Sequence, residues 1–374
     1  MTDVLFEELP TACGRRVGIA TLNAPPALNA LSLSMVRALT PMLRQWAYDS
    51  GVVCVVLQGA GDKAFCAGGD LRELYESLRA SPGEPSAYAR GFFAEEYQLD
   101  YLIHTFEKPI LCWGHGIVMG GGIGLMAGAS HRVVTPQSRL AMPEITVGLY
   151  PDVGGSWLLR RMPGRVGLFL ALTGASLNAA DALFCGLADV HLSAAARAEV
   201  LAALRATTWS DSPRSNRAEL SRILARSEVR DVPRSNVREH FDLLNELVAG
   251  DDLVDIGVRL RGLRREDPWL AGAAATFTKG SPTSAALAFE LWRRVKRASL
   301  AEVFRLEYDV SLGCCAHVDF VEGVRALLID KDKKPRWNPA SLEEVTAELV
   351  EDHFRPRYEG SHPLAALGLG GERA

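Results

Sequence analysis

In the first half of the chain, short apolar runs alternate with glycine-rich turns and with helical patterns. Hydrophobic residues recur at helical spacing over 35–46, which predicts an amphipathic helix that Pro41 is expected to kink. The six apolar residues 52–57 predict a fully buried strand. Asp70 is expected to cap the next helix, with Glu73 completing a capping box.

The same order of elements returns further along the chain. A strand is predicted at 109–113 and a shorter one at 117–119, before three glycines open an apolar helix that runs to about residue 127. Another strand is predicted at 132–135. Repeated strand–glycine–helix units predict an α/β protein with buried sheets, either a doubly wound sheet or a spiral. After about residue 207 helical periodicity dominates.

Composition and charge exclude several classes of protein. The 374 residues are 48% hydrophobic and 23% charged, which is ordinary for a globular protein with a full core. A net charge of -4 gives no basic balance for nucleic acid or an anionic membrane. No run of about eighteen apolar residues exists to span a bilayer. Seven cysteines, with Cys314 and Cys315 adjacent, do not resemble a disulfide framework and favour reduced thiols.

The start of the chain bears on the compartment. Residues 1–8 are acidic and lack the charged and apolar regions of a secretory signal, and the Arg/Ser-rich pattern of a transit peptide. We therefore expect a soluble, cytoplasmic protein with no nucleic-acid and no membrane partner.

Two glycine-rich segments directly precede helices, Gly68-Gly69 and Gly120-Gly121-Gly122. A helix N-terminus leaves backbone N–H groups unpaired and carries partial positive charge, and glycine lets a ligand approach closely. Two such segments at one point would form an oxyanion hole for a thioester carbonyl. The alternative is that each glycine cluster only makes a tight turn.

A rival interpretation involves a dinucleotide. Residues 122–127 fit the G-x-G-x-x-A fingerprint between a strand and a helix, and Glu144 lies at a suitable distance to be a ribose partner. That acid should end a second parallel strand, whereas Pro143 precedes it here in a turn. A lone fingerprint is a weak signal, so acyl transfer is favoured over nicotinamide chemistry.

The most informative segment is 140–155, where Glu144 and Asp152 stand among apolar and turn-forming residues. Desolvation and repulsion between like charges would raise the pKa of one of them, as a general acid or base requires. In the alternative, Glu144 is an exposed turn residue and Asp152 stabilises the turn at Gly154-Gly155.

Other chemistries find little support. The chain has no Gly-x-Ser-x-Gly elbow, no His-Glu-x-x-His pair and no Walker loop. His115 and His131 are interpreted as structural residues, and Cys66 as a small buried thiol. The basic cluster at 331–336 could meet CoA phosphates, but interleaved acidic residues favour a solvated turn.

Three motifs, 64–70, 115–122 and 142–155, resemble the crotonase (enoyl-CoA hydratase/isomerase) superfamily. More narrowly they are similar to its 3-hydroxyisobutyryl-CoA hydrolase branch, as are the later segments 281–284 and 319–332. The resemblance therefore covers nearly the whole chain.

The resemblance implies an α/β fold, a crotonase-type spiral of β-β-α turns with an α-helical C-terminal part. Residues 4–205 are expected to form the spiral core with the acyl-CoA site, 206–356 a mostly helical part of the same unit, and 357–374 a loose tail. The expected partner is a small-molecule acyl-CoA, and a homo-oligomer stays open. CoA is part of the substrate, and no metal or other cofactor is implied.

The resemblance also implies the site residues. The backbone N–H groups of Gly69 and Gly121 would form the oxyanion hole. Glu144 would be catalytic, either as a nucleophile or as a general base, and Asp152 would position water or protonate the departing thiolate. Glu96 would contact the hydroxyl end of the substrate, next to the substrate contacts of Gly121, Glu144 and Asp152.

Glu96 has a second interpretation. Together with Glu95 it could belong to the polar face of a helix that continues through Tyr97 and Asp100. In that case it would contact solvent rather than substrate.

One departure from the wider superfamily decides the expected reaction. Enoyl-CoA hydratases of this fold hold water between two Glu side chains, and the position of the first is Gly124 here. Losing half of an acid–base pair typically costs ~10²–10⁴ in rate. The sequence therefore predicts an acyl-CoA thioester hydrolase, with 3-hydroxyisobutyryl-CoA and valine breakdown as the implied substrate and pathway. The alternatives are a hydratase or isomerase of the same fold, and an inactive acyl-CoA-binding protein.

Overall fold

The structure is a computed structural model that describes residues 3–263 and 266–369. The strands in chain order are β1 Val4–Pro10, β2 Arg16–Leu22, β3 Val52–Gly59, β4 Ala64–Cys66, β5 Ile110–Gly114, β6 Ile117–Met119, β7 His131–Val134, β8 Arg139–Ala141 and β9 Val190–His191.

Helices are the other regular elements of the first half and make up most of the second. They are α1 Leu33–Tyr48, α2 Leu71–Arg79, α3 Ala87–His104, α4 Gly121–Ala127, α5 Gly155–Arg160, α6 Val166–Thr173, α7 Ala179–Phe184, α8 Ala196–Ala206, α9 Pro213–Arg226, α10 Asn236–Glu239, α11 Phe241–Leu247, α12 Leu253–Gly262, α13 Pro268–Lys279, α14 Pro282–Arg294, α15 Leu300–Ala316, α16 Val318–Val324 and α17 Ala347–His353. None of these helices is long and apolar enough to cross a membrane.

Two sheets form the first half of the molecule. The larger has the order β1-β2-β3-β5-β7-β9, with β1 antiparallel to β2 and the other pairs parallel. The smaller has the order β4-β6-β8 and is parallel throughout. From β3 onward the chain gives one strand to the larger sheet, the next to the smaller, and then turns into a helix. This is the predicted β-β-α spiral rather than a doubly wound sheet.

Strand β3 of the larger sheet is buried on both faces, which explains its continuous apolar run. On one face Val53 and Val56 pack with Leu204 of α8 and Leu220 of α9. On the other face the strand packs in a larger cluster that includes Trp46 of α1. A strand enclosed in this way has no reason to alternate apolar and polar residues.

The predictions for helices α1 and α2 can be compared with the structure at Pro41 and at the helix N-termini. Helix α1 begins at its predicted stripe with Ser32 as cap and continues through Pro41 without a break. Asp70 caps α2 as predicted, by accepting a hydrogen bond from the N–H of Arg72. The predicted capping box is wrong: Glu73 instead accepts the hydroxyl hydrogen of Tyr88, 2.6 Å away, at the start of α3.

The C-terminal helices pack on the same hydrophobic cluster as the spiral. That cluster runs from Val4 to Leu367 and includes residues of α14 and α15.

Residues 357–369 are not the loose tail that was predicted. Leu364 and Leu367 are buried, and Arg305 donates a hydrogen bond of 2.9 Å to the carbonyl of Leu367. The last part of the predicted tail, 370–374, lies outside the described residues.

Candidate active site

Three loops meet at the carboxyl ends of the three strands of the small sheet. Gly68 and Gly69 follow β4, Gly120 and Gly121 follow β6, and Glu144 follows β8 in a single 3₁₀ turn. Because β4, β6 and β8 are adjacent and parallel, their carboxyl ends lie along one edge. Segments that lie 52 residues apart (Gly69 and Gly121) and 23 residues apart (Gly121 and Glu144) in sequence thereby line one cavity, and the small sheet is what brings them together.

The N–H groups of Gly69 and Gly121 are free to bind a ligand. In the parallel bridge between Leu31 and Gly69, Leu31 bonds to the carbonyl of Gly68 and to the N–H of Asp70, so the N–H of Gly69 is left on the other side. Gly121 begins α4, where an N–H has no partner within the helix. Among residues 3–263 and 266–369 neither group has an acceptor.

The two glycine segments approach each other closely. A Cβ built on Gly121 would lie 3.5 Å from the nitrogen of Gly69, and one on Gly68 would lie 3.9 Å from the nitrogen of Gly121. Gly68 has φ of +108° and Gly120 has φ of +47°, a region that favours glycine. These glycines therefore do more than make two separate turns: they bring two free N–H groups side by side.

Glu144 is buried, so its interpretation as an exposed turn residue is wrong. Its Oε2 atom has no hydrogen-bond partner among the described residues. Burial, followed by the charge of Asp152, raises the pKa of Glu144 well above its usual value. An unpartnered buried carboxyl oxygen is costly unless a ligand or water meets it, which is what a reacting group in a cleft requires.

Asp152 is also buried and accepts a hydrogen bond of 2.6 Å from the hydroxyl of Tyr97. Burial raises the pKa of Asp152 to about 6, and the Tyr97 hydrogen bond opposes that rise. The turn after it is held by another residue. The carboxylate of Glu307 in α15 accepts hydrogen bonds of 2.7 and 3.0 Å from the N–H groups of Gly154 and Ser156. The side chain of Asp152 is therefore not needed to hold that turn.

Glu96 lies on the buried face of α3 and lines the same cavity. Its Oε1 atom has no partner among the described residues and lies 2.6 Å from the position of a Cβ on Gly121. Burial, then the charges of Asp152 and Glu144, raise the pKa of Glu96 well above its usual value. The neighbouring Glu95 is the surface residue, since it pairs with Arg37 at 2.7 Å. The solvated-face interpretation therefore fits Glu95 and fails for Glu96.

The cavity that these residues share has a volume of about 610 Å³. Most of its wall is apolar and comes from α2, α3, the loop after β8 and the segment after α16. The apolar side chains in its wall include Phe92, Phe93, Val147, Leu149, Val153 and Leu327. A cleft of this kind, with a few convergent polar groups, is typical of a small-molecule site.

Gly124, the position at which a hydratase would carry its first Glu, has no room for a side chain. A Cβ there would lie 2.7 Å from the Cβ of Val153 and 2.9 Å from Oδ2 of Asp100. Val153 is fixed in this place with φ of +54°. The space beside Gly124 is therefore filled by groups from α3 and from the loop that carries Asp152.

Four polar residues around Glu144 and Asp152 had no predicted functional role. Tyr97 and Asp100 lie one and four residues after Glu96 on α3, and Glu307 and Ser311 lie four apart on α15; all four are fully buried. For α3 a signal existed, because Glu96 and Asp100 interrupt the apolar stripe of Phe92, Leu99 and Ile103. For α15 no signal linked it to the site.

The residues interpreted as structural have structural surroundings. Both ring nitrogens of His115 face carbonyl oxygens, those of Trp113 and Gly61. Those of His131 face the hydroxyls of Ser130 and Ser221. Cys66 is fully buried, and burial raises the pKa of its thiol to about 12. None of these three side chains is prepared for catalysis at neutral pH.

A model of the enoyl-CoA hydratase/isomerase family matches residues 17–354, which includes every segment of the cavity described above. The chain belongs to this family. Because this chain folds as a spiral and Glu144 lies in a 3₁₀ turn beside the glycines, the dinucleotide interpretation of 122–127 and of Glu144 is not supported.

Curated members of the family extend the match. The chain is 38% identical over 343 residues to the mitochondrial 3-hydroxyisobutyryl-CoA hydrolase of Gallus gallus, covering 91% of this chain and 86% of that protein. It is 39% identical over 355 residues to the mitochondrial 3-hydroxyisobutyryl-CoA hydrolase of Danio rerio, covering 94% and 89%. The branch that the motifs predicted is thereby confirmed.

A solved structure of the family matches the fold. The crystal structure of an enoyl-CoA hydratase from Rhodobacter sphaeroides 2.4.1 has a TM-score of 0.83 and 36% sequence identity, covering 95% of this chain and 97% of that chain. The likeness extends through the C-terminal helices as well as the spiral.

The expected cytoplasmic location is wrong by the same comparison, because both curated relatives are named as mitochondrial. The expectation rested on the acidic residues 1–8. Where a sequence begins does not decide the compartment of the protein.

Proposed function

We propose that this protein hydrolyses short 3-hydroxyacyl-CoA thioesters, with 3-hydroxyisobutyryl-CoA as the preferred substrate. The observation that carries the proposal is the meeting of two free backbone N–H groups and a pair of buried carboxyl groups in one apolar cleft. The names of the curated relatives support the same activity. The valine-breakdown pathway that the family resemblance implies is part of the proposal.

In the proposed reaction the thioester oxygen binds between the N–H groups of Gly69 and Gly121. These donors would stabilise the negative charge that develops on that oxygen when the carbonyl carbon is attacked. Backbone N–H groups held by β4, β6 and α4 need no rearrangement at that moment. An oxyanion donor of this kind typically contributes ~10²–10³ in kcat.

Glu144 would carry out the attack, either directly as a nucleophile or by taking a proton from water. Either route needs an ionised Glu144, and burial beside Asp152 makes that state costly. Asp152 would hold the proton that the departing thiolate takes up, or position the attacking water. One proton shared by the pair is therefore enough for the reaction, and each carboxyl has a different part in it.

Glu96 would bind the 3-hydroxyl of the substrate. Its Oε1 atom is buried without a partner next to Gly121, so an acyl group held over the oxyanion hole brings its first few carbons within reach. A hydroxyl that meets this atom removes the penalty of an unpaired polar group, whereas an acyl group without the hydroxyl leaves it unpaired.

A second candidate function is hydration of enoyl-CoA, because the Rhodobacter sphaeroides structure is described as an enoyl-CoA hydratase. The geometry at Gly124 opposes it, since no side chain fits between Val153 and Asp100. A catalytically inactive acyl-CoA-binding protein is the third candidate. It would leave the buried carboxyl groups without a use.

The experiment is a panel of acyl-CoA substrates assayed in parallel for release of thiol and for loss of enoyl absorbance. We expect thiol release from 3-hydroxyisobutyryl-CoA and little hydration of crotonyl-CoA. Hydration of crotonyl-CoA at a rate like that of hydroxyacyl-CoA hydrolysis would favour the second candidate. Binding without either reaction would favour the third. The expectation that no metal or other cofactor is needed is tested by running the assay after dialysis against a chelator.

A further inference from the structure

Three buried hydroxyl groups form a chain of hydrogen bonds that ends on Asp152. The hydroxyl oxygen of Tyr97 lies 2.6 Å from Oδ2 of Asp152 and 2.7 Å from Oγ of Ser311. Ser311 lies 2.9 Å from the hydroxyl oxygen of Tyr150, which lies 2.5 Å from the carbonyl oxygen of Glu307. The chain joins α3, α15 and the loop before α5.

Each hydroxyl in this chain has one hydrogen to donate. At the far end the carbonyl of Glu307 can only accept, so Tyr150 donates to it. At the near end Oδ2 of Asp152 accepts when the carboxyl group is ionised and donates when that oxygen carries the proton. The direction of the bonds in between therefore depends on the charge of Asp152.

The chain gives Asp152 a hydrogen-bond partner in both of its charge states. When Asp152 is ionised, Tyr97 donates to it and Ser311 donates to Tyr97, and no hydrogen lies between Ser311 and Tyr150. When Asp152 is protonated, it donates to Tyr97, Tyr97 donates to Ser311, and Ser311 donates to Tyr150. The change requires only that the hydrogens of Tyr97 and Ser311 turn, and no heavy atom has to move.

We propose that the hydroxyls of Tyr97, Ser311 and Tyr150 act as a reversible chain that lets Asp152 hold or release a proton in place, and that Tyr97 and Ser311 are positioning residues for this purpose. The proposal rests on the role given to Asp152 in the proposed function. It adds a physical reason why a fully buried carboxyl can change its charge during the reaction.

When Glu144 is the nucleophile, one proton passes from Asp152 to the substrate and is replaced by a proton from water. The C–S bond breaks as the acyl–Glu144 bond forms, and the proton of Asp152 leaves its hydrogen bond with Tyr97 and moves to the sulfur, giving free thiol and ionised Asp152. Tyr97 then turns its hydrogen towards Asp152. When water cleaves the acyl–Glu144 bond, its hydroxyl goes to the acyl carbon and its proton returns to Asp152.

In the part of the chain that the structure describes, Asp152 is surrounded by acids and pairs with no cation. The titratable groups that face it are Glu96, Tyr97 and Asp100 from α3, Glu144 after β8, Tyr150 of its own loop, and Glu307, Cys314 and Cys315 of α15. None of the carboxyl groups among them forms an ion pair with a cation in the described parts of the chain. Hydroxyl hydrogens are thus what can respond to the charge of Asp152.

The test is the pH profile of kcat in Tyr97→Phe and Ser311→Ala. Tyr97→Phe removes a donor to ionised Asp152, a stronger bond than the one lost in the protonated state, so the limb of the profile that reports Asp152 moves to higher pH by roughly one unit. Ser311→Ala keeps the Tyr97 donor but removes the acceptor that Tyr97 needs when Asp152 is protonated. That limb should therefore move to lower pH.

The opposite directions of the two shifts are what a reversible chain requires. A hydrogen bond that only holds Asp152 in place would leave the profile of Ser311→Ala where the wild-type profile lies. That result, or shifts of both variants in the same direction, would overturn the proposal. Circular dichroism and thermal unfolding show whether each variant folds, and Ser311→Cys, with a weak donor in the same place, should fall between Ser311→Ala and wild type.

A matched control is Tyr101→Phe, at a tyrosine outside the hydrogen-bond chain. Tyr101 lies one helical turn after Tyr97, and both rings contact Phe304, with centroids 6.2 and 5.7 Å from it. Its hydroxyl forms no bond with Asp152, so the control should keep the wild-type profile.

Asp152→Asn distinguishes a failure of the role proposed for Asp152 from a failure of the role proposed for the hydroxyl chain. If it retains full activity, the role of Asp152 fails; if it is inactive while Tyr97→Phe and Ser311→Ala keep the wild-type profile, only the chain fails.

Discussion

Carboxyl groups occur in two very different settings in this molecule. Around the cavity, Glu96, Asp100, Glu144 and Asp152 are buried with no cation paired to them in the described residues, and burial raises the pKa of each. After α16, by contrast, Arg325 pairs with Glu322, Asp330 and Asp332 near the surface. Its hydrogen bonds lower the pKa of Glu322 and of Asp332.

The difference separates chemistry from structural support. A fold that needed these acids only for stability would pair them, as it does around Arg325, since an unpaired buried carboxyl group is destabilising. The fold instead keeps several of them where ionisation is costly and a ligand can reach them. The same contrast explains the basic cluster at 331–336: its interleaved acids belong to the Arg325 network, which supports the solvated-turn interpretation.

The largest effect that would test this contrast is expected from Glu144→Gln. The amide keeps the shape of the side chain but can neither attack a carbonyl nor accept a proton as a base. We expect kcat for thioester hydrolysis to fall at least ~10²-fold, with KM little changed. The measurement is steady-state thiol release by the purified variant. Near wild-type turnover would remove Glu144 from the mechanism.

The next effect concerns specificity and Glu96→Ala. Wild type should prefer 3-hydroxyisobutyryl-CoA over isobutyryl-CoA, and the variant should reduce that ratio of kcat/KM values by roughly ten- to a hundredfold, as the loss of a charge-assisted hydrogen bond implies. Glu95→Ala is the matched control, because that side chain pairs with Arg37 at the surface. Equal ratios in wild type and Glu96→Ala would leave the hydroxyl preference without a named cause.

Gly124→Glu tests whether the missing acid alone separates this site from a hydratase. The new side chain would meet Val153 and Asp100, so we expect no efficient hydration of crotonyl-CoA and a loss of ~1–3 kcal/mol in the free energy of unfolding. Enoyl absorbance and urea unfolding measure the two outcomes. A stable variant with rapid hydration would show that the space around Gly124 adapts more easily than its contacts indicate.

Asp100→Asn should reveal the pH dependence that a buried acid imposes. The folded protein holds the proton of Asp100 at a pH where the unfolded chain, with a carboxyl pKa near about 3.9, has released it. Its contribution to stability is therefore complete below about pH 4 and is lost as pH rises through the folded pKa. The variant lacks this loss, so its stability relative to wild type should increase with pH by on the order of 1 kcal/mol per pH unit.

That prediction is checked by urea unfolding at pH 5 and pH 8, with Asp231→Asn at an exposed loop position as control. A constant difference between Asp100→Asn and wild type across this range would mean that the folded and unfolded states release this proton at the same pH.

The smallest effect is expected in the paired setting. Arg325→Gln removes partly exposed ion pairs, and such pairs contribute little to stability because solvent screens them. Because the pairing lowers the pKa of Glu322 and Asp332, the stabilisation is present at neutral pH and is lost as pH falls. The pH dependence thus has the opposite sign to that of Asp100. An unfolding series in which both variants respond to pH in the same direction would remove the distinction.

Much of the fold could be predicted because its signals are local. A few adjacent residues are enough to predict several elements. Examples are the apolar run of β3, the glycines at the start of α4 and the serine caps of α9 and α14. Pro41 did not end α1, because the buried stripe from Met35 to Trp46 holds the helix on both sides of it. The tail was misjudged because its glycines outweighed Leu364 and Leu367, whose burial depends on distant helices.

The site residues that lie within a sequence motif could be predicted, and those outside the motifs could not. Glu144 and Asp152 stand out because carboxylates are rare in apolar turns. Ser311 does not, since a serine inside a helix has many uses and its contact with Tyr97 joins residues 214 positions apart in sequence. Asp100 was interpreted as part of a polar surface, and its burial depends on the packing of α3 against other helices, among them α4 at Gly124.

The small sheet has a consequence for how the protein tolerates change. Each of its strands has only three residues, and all three loops of the site hang from them. A slip of one residue in β6 would displace Gly121 by about 3.3 Å, whereas a catalytic group must hold its place to within about 0.5 Å. Random mutagenesis that selects only for folded protein should therefore accumulate inactive variants with changes packed against β4, β6 and β8, well before it finds variants that fail to fold.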